Sequence, residues 1–198
     1  LFTNLYFPGW PSPAFDRYVE RELDRAVPIL GRPPALRAAI VAITRRCPLR
    51  CEHCVEWDML GQHEGLSAVE LQAIMQQLRQ RGVGQVFFSG GEPMQRFDAL
   101  LDLTASMAHE SDVWVLSSGR GLTLEKATRL RASGLTGVAL SLDHWDAAAH
   151  DRFRGRPGTF AAVEQAASHV RDAGLVLALS LCPVRGFVSE DNLERYAN

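Results

Sequence analysis

From Leu36 onward, short apolar segments alternate with longer amphipathic segments along the chain. The short segments have the length of buried strands, and the longer ones carry apolar residues at helical spacing. This alternation predicts an α/β fold of strand–helix units, because parallel strands need a helical crossover between them. The predicted strands are Ala38–Ile43, Gln85–Ser89, Val113–Ser117, Gly137–Leu142 and Leu175–Leu181, and the helices are Ala68–Arg81, Phe97–His109, Leu124–Ala132 and Phe160–Ala173.

Five such units form either an open doubly wound sheet or an arc of a barrel. Val, Ile and Leu occupy both odd and even positions of the strands, whose side chains face opposite sides of the sheet. This predicts that both faces of the sheet are buried. Ser67 and Thr123 are expected to cap helix starts, and Gly82, Gly134 and Gly174 to end helices. Residues 1–36 are rich in proline and predict a lead-in segment with one helix, Ala14–Ala26, ahead of a main domain over residues 37–198.

Composition narrows the class of protein. A chain of 198 residues with 46% hydrophobic and 22% charged residues has the size and balance of one globular domain. Its formal net charge of -2 gives no large basic field, so we expect no nucleic-acid partner. No apolar segment approaches the roughly 20 residues of a membrane span and no signal peptide is recognisable, so we expect a cytoplasmic protein without a membrane partner. A first residue other than Met and a helix that opens near Ser189 suggest a fragment.

The chemically unusual segments all follow predicted strands. Because parallel strands end at one rim, the sequence predicts that thiols, glycines, hydroxyls and carboxylates meet there. The segments are 44–54, 89–93, 117–120, 143–146 and 182–186.

Three of the four cysteines, Cys47, Cys51 and Cys54, lie within eight residues. Such clustering favours a metal or redox site over a disulfide framework. A buried helical face is disfavoured because the segment is too polar. A zinc site with His53 or His63 as fourth ligand lacks the usual two close pairs of ligands. A cubane iron–sulfur cluster held by three thiolates would leave one iron open to a ligand.

Neighbouring residues add to this interpretation. Arg45, Arg46 and Arg50 are expected either to lower the pKa of the thiols or to lie on the solvated surface. Cys182 is expected to be a buried structural thiol rather than a ligand. The turn Gly90–Pro93 is either an ordinary connection or a cradle, since its glycines permit close backbone approach to a ligand and its proline stiffens the turn.

The spacing C-x3-C-x2-C, followed at this separation by G-G-E-P, resembles the radical S-adenosylmethionine (radical SAM) superfamily. The resemblance implies a partial (β/α)6 TIM-like barrel of parallel strands, here truncated after about five strand–helix units. It implies a [4Fe-4S] cluster on Cys47, Cys51 and Cys54, with S-adenosylmethionine bound to the open iron. The other implied cofactor contacts are Gly90, Gly91, Glu92 and Pro93 near the amino group, the backbone of His53 at the adenine, and Ser117, Ser118, Ser141 and Asp143 at the ribose or methionine.

The segment Ser141–Asp143 followed by His150–Gly155 resembles peptide-modifying members with C-terminal auxiliary cluster (SPASM) domains. Arg154 is then a candidate for the methionine carboxylate, with an ion pair to Asp151 or Glu164 as the structural alternative. His150 is expected to anchor a loop. His53 stands where the family commonly has an aromatic residue, and Ser117-Ser118-Gly119 where many members have Thr-Asn-Gly.

The implied activity needs no classical acid–base residue. One electron cleaves S-adenosylmethionine to methionine and a 5'-deoxyadenosyl radical, which takes hydrogen from an unidentified substrate. The enzyme would be an oxidoreductase or transferase acting on a peptide or small molecule, with peptide modification slightly favoured, and its electron donor would be a flavodoxin or ferredoxin. The alternative is a non-catalytic iron–sulfur or zinc binding module.

Overall fold

The computed structural model describes residues 7–27 and 36–197. Its strands form one parallel sheet in the order β1–β2–β3–β4–β5. A doubly wound sheet would reverse its strand order at a switch point, so the sequential order identifies the sheet as an arc of a barrel and confirms that fold class. The strands are β1 Ala38–Ala42, β2 Gln85–Ser89, β3 Asp112–Ser117, β4 Gly137–Ser141 and β5 Val176–Ser180.

The described helices are α1 Pro13–Ala26, α2 Ala68–Gln80, α3 Phe97–Met107, α4 Leu124–Ala132, α5 Ala147–Phe153, α6 Thr159–Asp172 and α7 Glu190–Ala197. Short 3₁₀ turns occupy Trp57–Met59 and Pro93–Arg96. No helix in these described parts of the chain is long and apolar enough to cross a membrane.

Local sequence signals place most helix ends. Ser67 forms a capping box with Glu70 at the start of α2, and the Thr123 side chain caps α4. Gly82, Gly134 and Gly174 follow helices with positive φ, as predicted. The sequence analysis missed α5, which has only seven residues and is capped by the Asp146 carboxylate.

The lead-in helix α1 lies within one residue of its predicted bounds. It contacts the main domain through ion pairs from Arg17 to Glu110 and from Arg37 to Glu22. The remainder of the predicted lead-in, residues 1–6 and 28–35, lies outside the described residues. The division at residue 36 therefore stays a prediction.

The helices cover one face of the sheet. Alternate residues of the central strands, among them Val86, Phe88 and Val115, are fully buried in the core between sheet and helices. The expected burial on both faces is wrong for the edge strands. Ile40 of β1 is 71% exposed and Leu179 of β5 is 47% exposed, because within residues 7–27 and 36–197 no further strand lies beside these two edges of the arc.

The other, concave face of the sheet, which the helices do not cover, is closed near the amino ends of the strands by a buried polar network. Asp112 accepts hydrogen bonds from Gln85 Nε2 at 3.1 Å, from Trp114 Nε1 at 2.9 Å and from the Thr136 hydroxyl. The Trp114 side chain is itself fully buried. Polar chemistry that could meet a ligand is thereby left to the opposite, carboxyl-terminal rim.

Candidate functional site

A cavity of about 230 Å³ lies at the carboxyl-terminal rim of the sheet. Most of the predicted site residues line it: Cys47, Cys51, Cys54, His53, Gly90, Gly91, Ser117, Ser118, Ser141 and Arg154. Glu92, Pro93 and Asp143 are buried behind this lining. The topology therefore brings the loops after β1, β2, β3 and β4 to one place.

The loop that carries the cysteines, residues 47–54, rests on the end of α5. Arg50 N donates to Arg154 O at 3.3 Å and Glu52 N donates to Phe153 O at 3.0 Å. The His53 ring stacks on Phe153 with centroids 4.7 Å apart and planes 5° from parallel. Burial lowers the pKa of His53, and the charge of Arg154 lowers it further. His53, which stands where the family commonly has an aromatic residue, is therefore also stacked, and the ring on which it stacks is that of Phe153.

Gly155 makes this close contact possible. It has φ of +68° at the end of α5, and a Cβ there would collide with the carbonyl oxygen of Arg50. Glycine is the residue that tolerates both the left-handed conformation and the close approach. The short helix that the sequence analysis missed is therefore what supports the cysteine loop.

The glycine turn packs against residues 44–46, which lead into this loop, and against Cys47 at its start. Gly91 N donates to Thr44 O at 2.8 Å and Glu92 N donates to Arg46 O at 2.7 Å. A Cβ on Gly91 would overlap the Arg46 carbonyl group. The glycines consequently bring the β2 turn into contact with the cysteine loop.

The Glu92 carboxylate joins two strand ends. It is 1% exposed and accepts hydrogen bonds from Ser117 Oγ at 2.8 Å, Ser118 N at 2.9 Å and Met94 N at 3.2 Å. Burial raises the pKa of Glu92, while the hydrogen bonds from Ser118 and Ser117 oppose that rise. Its side chain thus fixes the β2 and β3 loops relative to one another, and Pro93 begins the 3₁₀ turn that follows.

Arg154 is a buried cation beside the thiols. Its Nη2 pairs with Asp143, and its Nη1 lies 3.7 Å from Cys51 Sγ. The partner of Arg154 is therefore Asp143 and not Asp151, whose carboxylate accepts instead from Gly158 N and Phe160 N. Arg154 does not pair with Glu164, the other expected partner, either.

Asp143 connects this ion pair to two further segments. Its Oδ1 accepts from Cys182 N at 2.9 Å, and its own N donates to Nδ1 of the fully buried His150 at 3.1 Å. The expectation that His150 anchors a loop is confirmed. Asp143 thereby ties the end of β4 to α5 through its backbone amide and to the end of β5 through its carboxylate.

The expected environment of the thiols needs correction. Burial raises the pKa of Cys47 to about 11 and raises the pKa of Cys51 as well, an effect that Arg154 opposes at Cys51. Arg45, Arg46 and Arg50 bind other groups: His63 O, the Glu64 carboxylate and Leu49 O, respectively. The prediction that these three arginines lower the thiol pKa was wrong for Cys47 and Cys51, because the charge that opposes the rise in pKa at Cys51 is that of Arg154 and none of the three acts on either thiol.

Cys182 is exposed, so the prediction of a buried structural thiol was also wrong. It follows the edge strand β5, where no further strand of the described chain covers it. The Cys182 backbone N donates to Asp143, and the thiol takes no part in this hydrogen bond.

Sequence reasoning gave no cofactor role to three polar residues of the cavity lining, Glu56, Ser89 and Ser180. Each of the two serines is the last residue of a strand, as are Ser117 and Ser141. A serine at the last position of an apolar strand could have predicted both serines, because the carboxyl end of the strand lies at the functional rim.

The arrangement of the three thiols distinguishes a single metal ion, such as zinc, from an iron–sulfur cluster. Among residues 7–27 and 36–197, no group of three or more Cys, His, Asp or Glu side chains converges on a position for a single metal ion. A four-iron cubane takes one thiolate on each ligated iron, so its ligands need not meet at a point. Three cysteines around one cavity, with a buried cation beside them, fit the cluster.

Comparison with known proteins agrees with this chemistry. Residues 41–197 match the family model of the radical SAM superfamily. The AdoMet-dependent heme synthase of Nitratidesulfovibrio vulgaris is 32% identical over 165 residues, which are 82% of this chain and 43% of that protein. The PqqA peptide cyclase of Streptomyces rochei is 36% identical over 163 residues, 81% of this chain and 43% of that protein.

The solved structure of Streptococcus suis SuiB bound to S-adenosylmethionine has a similar fold, with a TM-score of 0.64 and 17% identity. The match covers 82% of this chain and 37% of SuiB. The chain spans less than half the length of the curated relatives described above. The extent of the family match and the identity to these relatives show that the chain belongs to the radical SAM superfamily.

Proposed function

We propose that this chain is the cofactor-binding core of a radical SAM enzyme, with Cys47, Cys51 and Cys54 holding a [4Fe-4S] cluster. The observation that carries the proposal is that all three thiols line one cavity together with the glycine turn. When bound, the cluster and S-adenosylmethionine supply one-electron cleavage of a carbon–sulfur bond, giving methionine and a 5'-deoxyadenosyl radical that takes a hydrogen atom from substrate.

The protein would bind and orient S-adenosylmethionine from several sides. The turn Gly90–Pro93 would place backbone groups at the amino group, and Arg154 would face the carboxylate. The backbone of His53 would lie at the adenine, while Ser117, Ser118 and Ser141 would bind the ribose or methionine. Asp143, which is buried behind the lining, would act on the same groups through its ion pair with Arg154. The apolar side chains of Leu49, Leu60 and Leu116 in the same lining would limit water near the radical.

We propose peptide modification as the finer function, supported by the similarity to a protein named PqqA peptide cyclase. A relative named heme synthase makes a small-molecule substrate the second candidate. The probe for the first is any short peptide found to be encoded next to the gene of this protein. It should raise the yield of 5'-deoxyadenosine above that of the peptide-free reaction and leave the reaction with a changed mass.

The central test is cleavage of S-adenosylmethionine by the purified protein. After anaerobic reconstitution with iron and sulfide, dithionite should yield 5'-deoxyadenosine, measured by liquid chromatography and mass spectrometry. Cys51→Ala should abolish both the cluster absorbance and the product. Cys182→Ala is the matched control and should keep both, because that thiol is exposed and lies outside the cavity lining.

Two results would contradict the proposal. An intact cluster that yields no 5'-deoxyadenosine would exclude the enzymatic function. One zinc per chain without sulfide would instead support the non-catalytic binding module.

A further inference from the structure

A second loop packs against the residues that lead into the cysteine loop. Residues 55–66, which follow the last cysteine, run back to the end of β1 before α2 begins. Gly61 N donates to Arg45 O at 2.9 Å, and Arg45 Nη1 donates to His63 O at 3.1 Å. We call residues 55–66 the return loop. It contacts residues 44–46, which the glycine turn contacts as well.

The Glu64 carboxylate binds residues 44–46 with both of its oxygens. Oε1 accepts from Thr44 Oγ1 at 2.7 Å, and Oε2 accepts from Arg45 N at 2.9 Å. The Glu64 side chain is only 18% exposed, so water competes little for these bonds. Arg46 Nε lies 3.2 Å from Oε1, but the Arg46 side chain is 64% exposed and this ion pair adds little. Glu64 therefore acts through its hydrogen bonds.

The Glu64 carboxylate is held in its charged form. Burial would raise its pKa, but the two hydrogen bonds and the charges of Arg96 and Arg46 lower the pKa overall. Hydrogen bonds to a charged acceptor are stronger than those to a neutral one. Arg96 also joins the two segments directly, because it donates to Ile43 O at 2.7 Å and to Leu66 O at 2.9 Å.

Residues 44–46 are the place where the glycine turn meets the cysteine loop. Thr44 O accepts from Gly91 N and Arg46 O accepts from Glu92 N, while the first cysteine is the next residue along the chain. In the proposed function, the turn contacts the amino group of S-adenosylmethionine and the cysteine loop holds the cluster. A shift of residues 44–46 would change how these two parts of the site lie relative to each other.

The cysteine loop has a separate support at its other end. Arg50 N and Glu52 N donate to backbone oxygens at the end of α5, and Glu64 takes no part in that contact. The cluster ligands and the glycine turn are thus held by different contacts. A change at Glu64 should move the turn relative to the cluster and leave the cluster bound.

We propose that Glu64 is a positioning residue for S-adenosylmethionine, an inference that rests on the proposed function. By holding residues 44–46, Glu64 fixes the glycine turn at the place from which one ligand can reach both the turn and the open iron. Glu64 lies outside the lining of the cavity, so it acts through Thr44 and Arg45 and not by contact with the cofactor.

The test is made on the reconstituted full protein with Glu64→Ala, which leaves Thr44 and Arg45 N without this acceptor. Binding of S-adenosylmethionine, measured by equilibrium dialysis, should weaken about tenfold. At one fixed concentration, S-adenosylmethionine should change the electron paramagnetic resonance spectrum of the reduced cluster less than in the wild type. The iron content and the spectrum without S-adenosylmethionine should equal those of the wild type.

Glu70→Ala is the matched control. The Glu70 carboxylate also accepts from one backbone N–H and one hydroxyl, both of Ser67, but it caps α2 and leaves residues 44–46 untouched. We expect this variant to bind S-adenosylmethionine as tightly as the wild type.

Thr44→Val provides a second route to the same contact, since it removes only a hydroxyl. It should also weaken binding of S-adenosylmethionine. The double variant Thr44→Val/Glu64→Ala should lose less affinity than the product of the two single effects, because the two side chains share one hydrogen bond. Thr44→Val decides the question if Glu64→Ala yields no folded protein.

Unchanged affinity in Glu64→Ala and Thr44→Val, or effects of the two that multiply independently, would overturn this inference alone. A loss of iron in step with the loss of affinity would also overturn it, because Glu64 would then support the fold and not the cofactor. Wild-type protein with an intact cluster that yields no 5'-deoxyadenosine would overturn the proposed function and this inference with it.

Discussion

Arg154 and Asp143 form a buried pair of opposite charges in contact with Cys51. The guanidinium lies nearer the sulfur, so it stabilises negative charge there, while the carboxylate reduces that effect. Electrostatic interactions between such buried groups are weakly screened by solvent. A bound cluster becomes more negative when reduced, and the two residues should therefore shift its reduction potential in opposite directions.

Arg154→Gln should make the reduction potential of the cluster more negative, and Asp143→Asn should make it less negative. The expected shifts are on the order of tens of millivolts, 59 mV being a tenfold change for a one-electron couple. The measurement is a redox titration monitored by electron paramagnetic resonance, without S-adenosylmethionine. Asp102→Asn, an exposed residue of α3, is the control. Shifts of the same sign in both Arg154→Gln and Asp143→Asn would disprove this assignment.

At the scale of elements, the short helix α5 positions the cysteine loop. Backbone bonds from Arg50 and Glu52 end on its last residues, and the stacked pair of His53 and Phe153 closes the contact. Two glycines flank the segment after this helix. Both glycines have positive φ, +68° at Gly155 and +75° at Gly158. A Cβ on Gly155 would collide with the cysteine loop, whereas a Cβ on Gly158 would meet no atom within 4 Å.

Gly155→Ala should lower the iron content of the reconstituted protein, because its methyl group would push the cysteine loop off α5. Gly158→Ala has the same unfavourable φ but meets no neighbouring atom, so it isolates the effect of backbone strain. We expect Gly155→Ala to be less stable than Gly158→Ala by about 1–3 kcal/mol. Iron analysis and thermal unfolding check this, and equal behaviour of the two variants would rule out the supporting role.

At the scale of the whole molecule, the barrel arc keeps stability and chemistry at opposite ends of its strands. The Asp112 network lies near the amino ends, while the cavity lies at the carboxyl ends. This division is typical of parallel barrels, in which the loops of one rim vary in function above a common scaffold. Changes in the network should therefore alter folding without altering the cofactor site.

Asp112→Asn should lower the free energy of unfolding by about 1–3 kcal/mol, since an amide cannot accept from all three donors. The iron content should equal that of the wild type. Asp102→Asn is again the control, with a change within about 0.5 kcal/mol expected for an exposed site. Chemical denaturation and iron analysis provide the two readouts. A loss of iron in parallel with stability would show that the two ends are coupled.

The sequence alone determined the features that depend on near neighbours. The strand–helix alternation, the caps at Ser67 and Thr123, the glycines after helices and the spacing of the cysteines each act over a few residues. The gathering of the loops at one rim followed as well, because parallel topology places all strand ends together. Family membership was therefore predictable from local motifs, whereas the strand–helix pattern left an open doubly wound sheet and a barrel arc as alternatives, and the barrel followed from the family resemblance.

The tertiary structure decided which distant groups meet. The partner of Arg154 is Asp143, 11 positions away, and not the nearer Asp151. The Glu92 carboxylate binds serines 25 and 26 positions further along the chain. The packing of separate loops also decides that Cys51 is buried, that Cys182 is exposed and that α5 supports the cysteine loop. Contact and burial depend on how separate loops pack, and no local pattern in the chain encodes that packing.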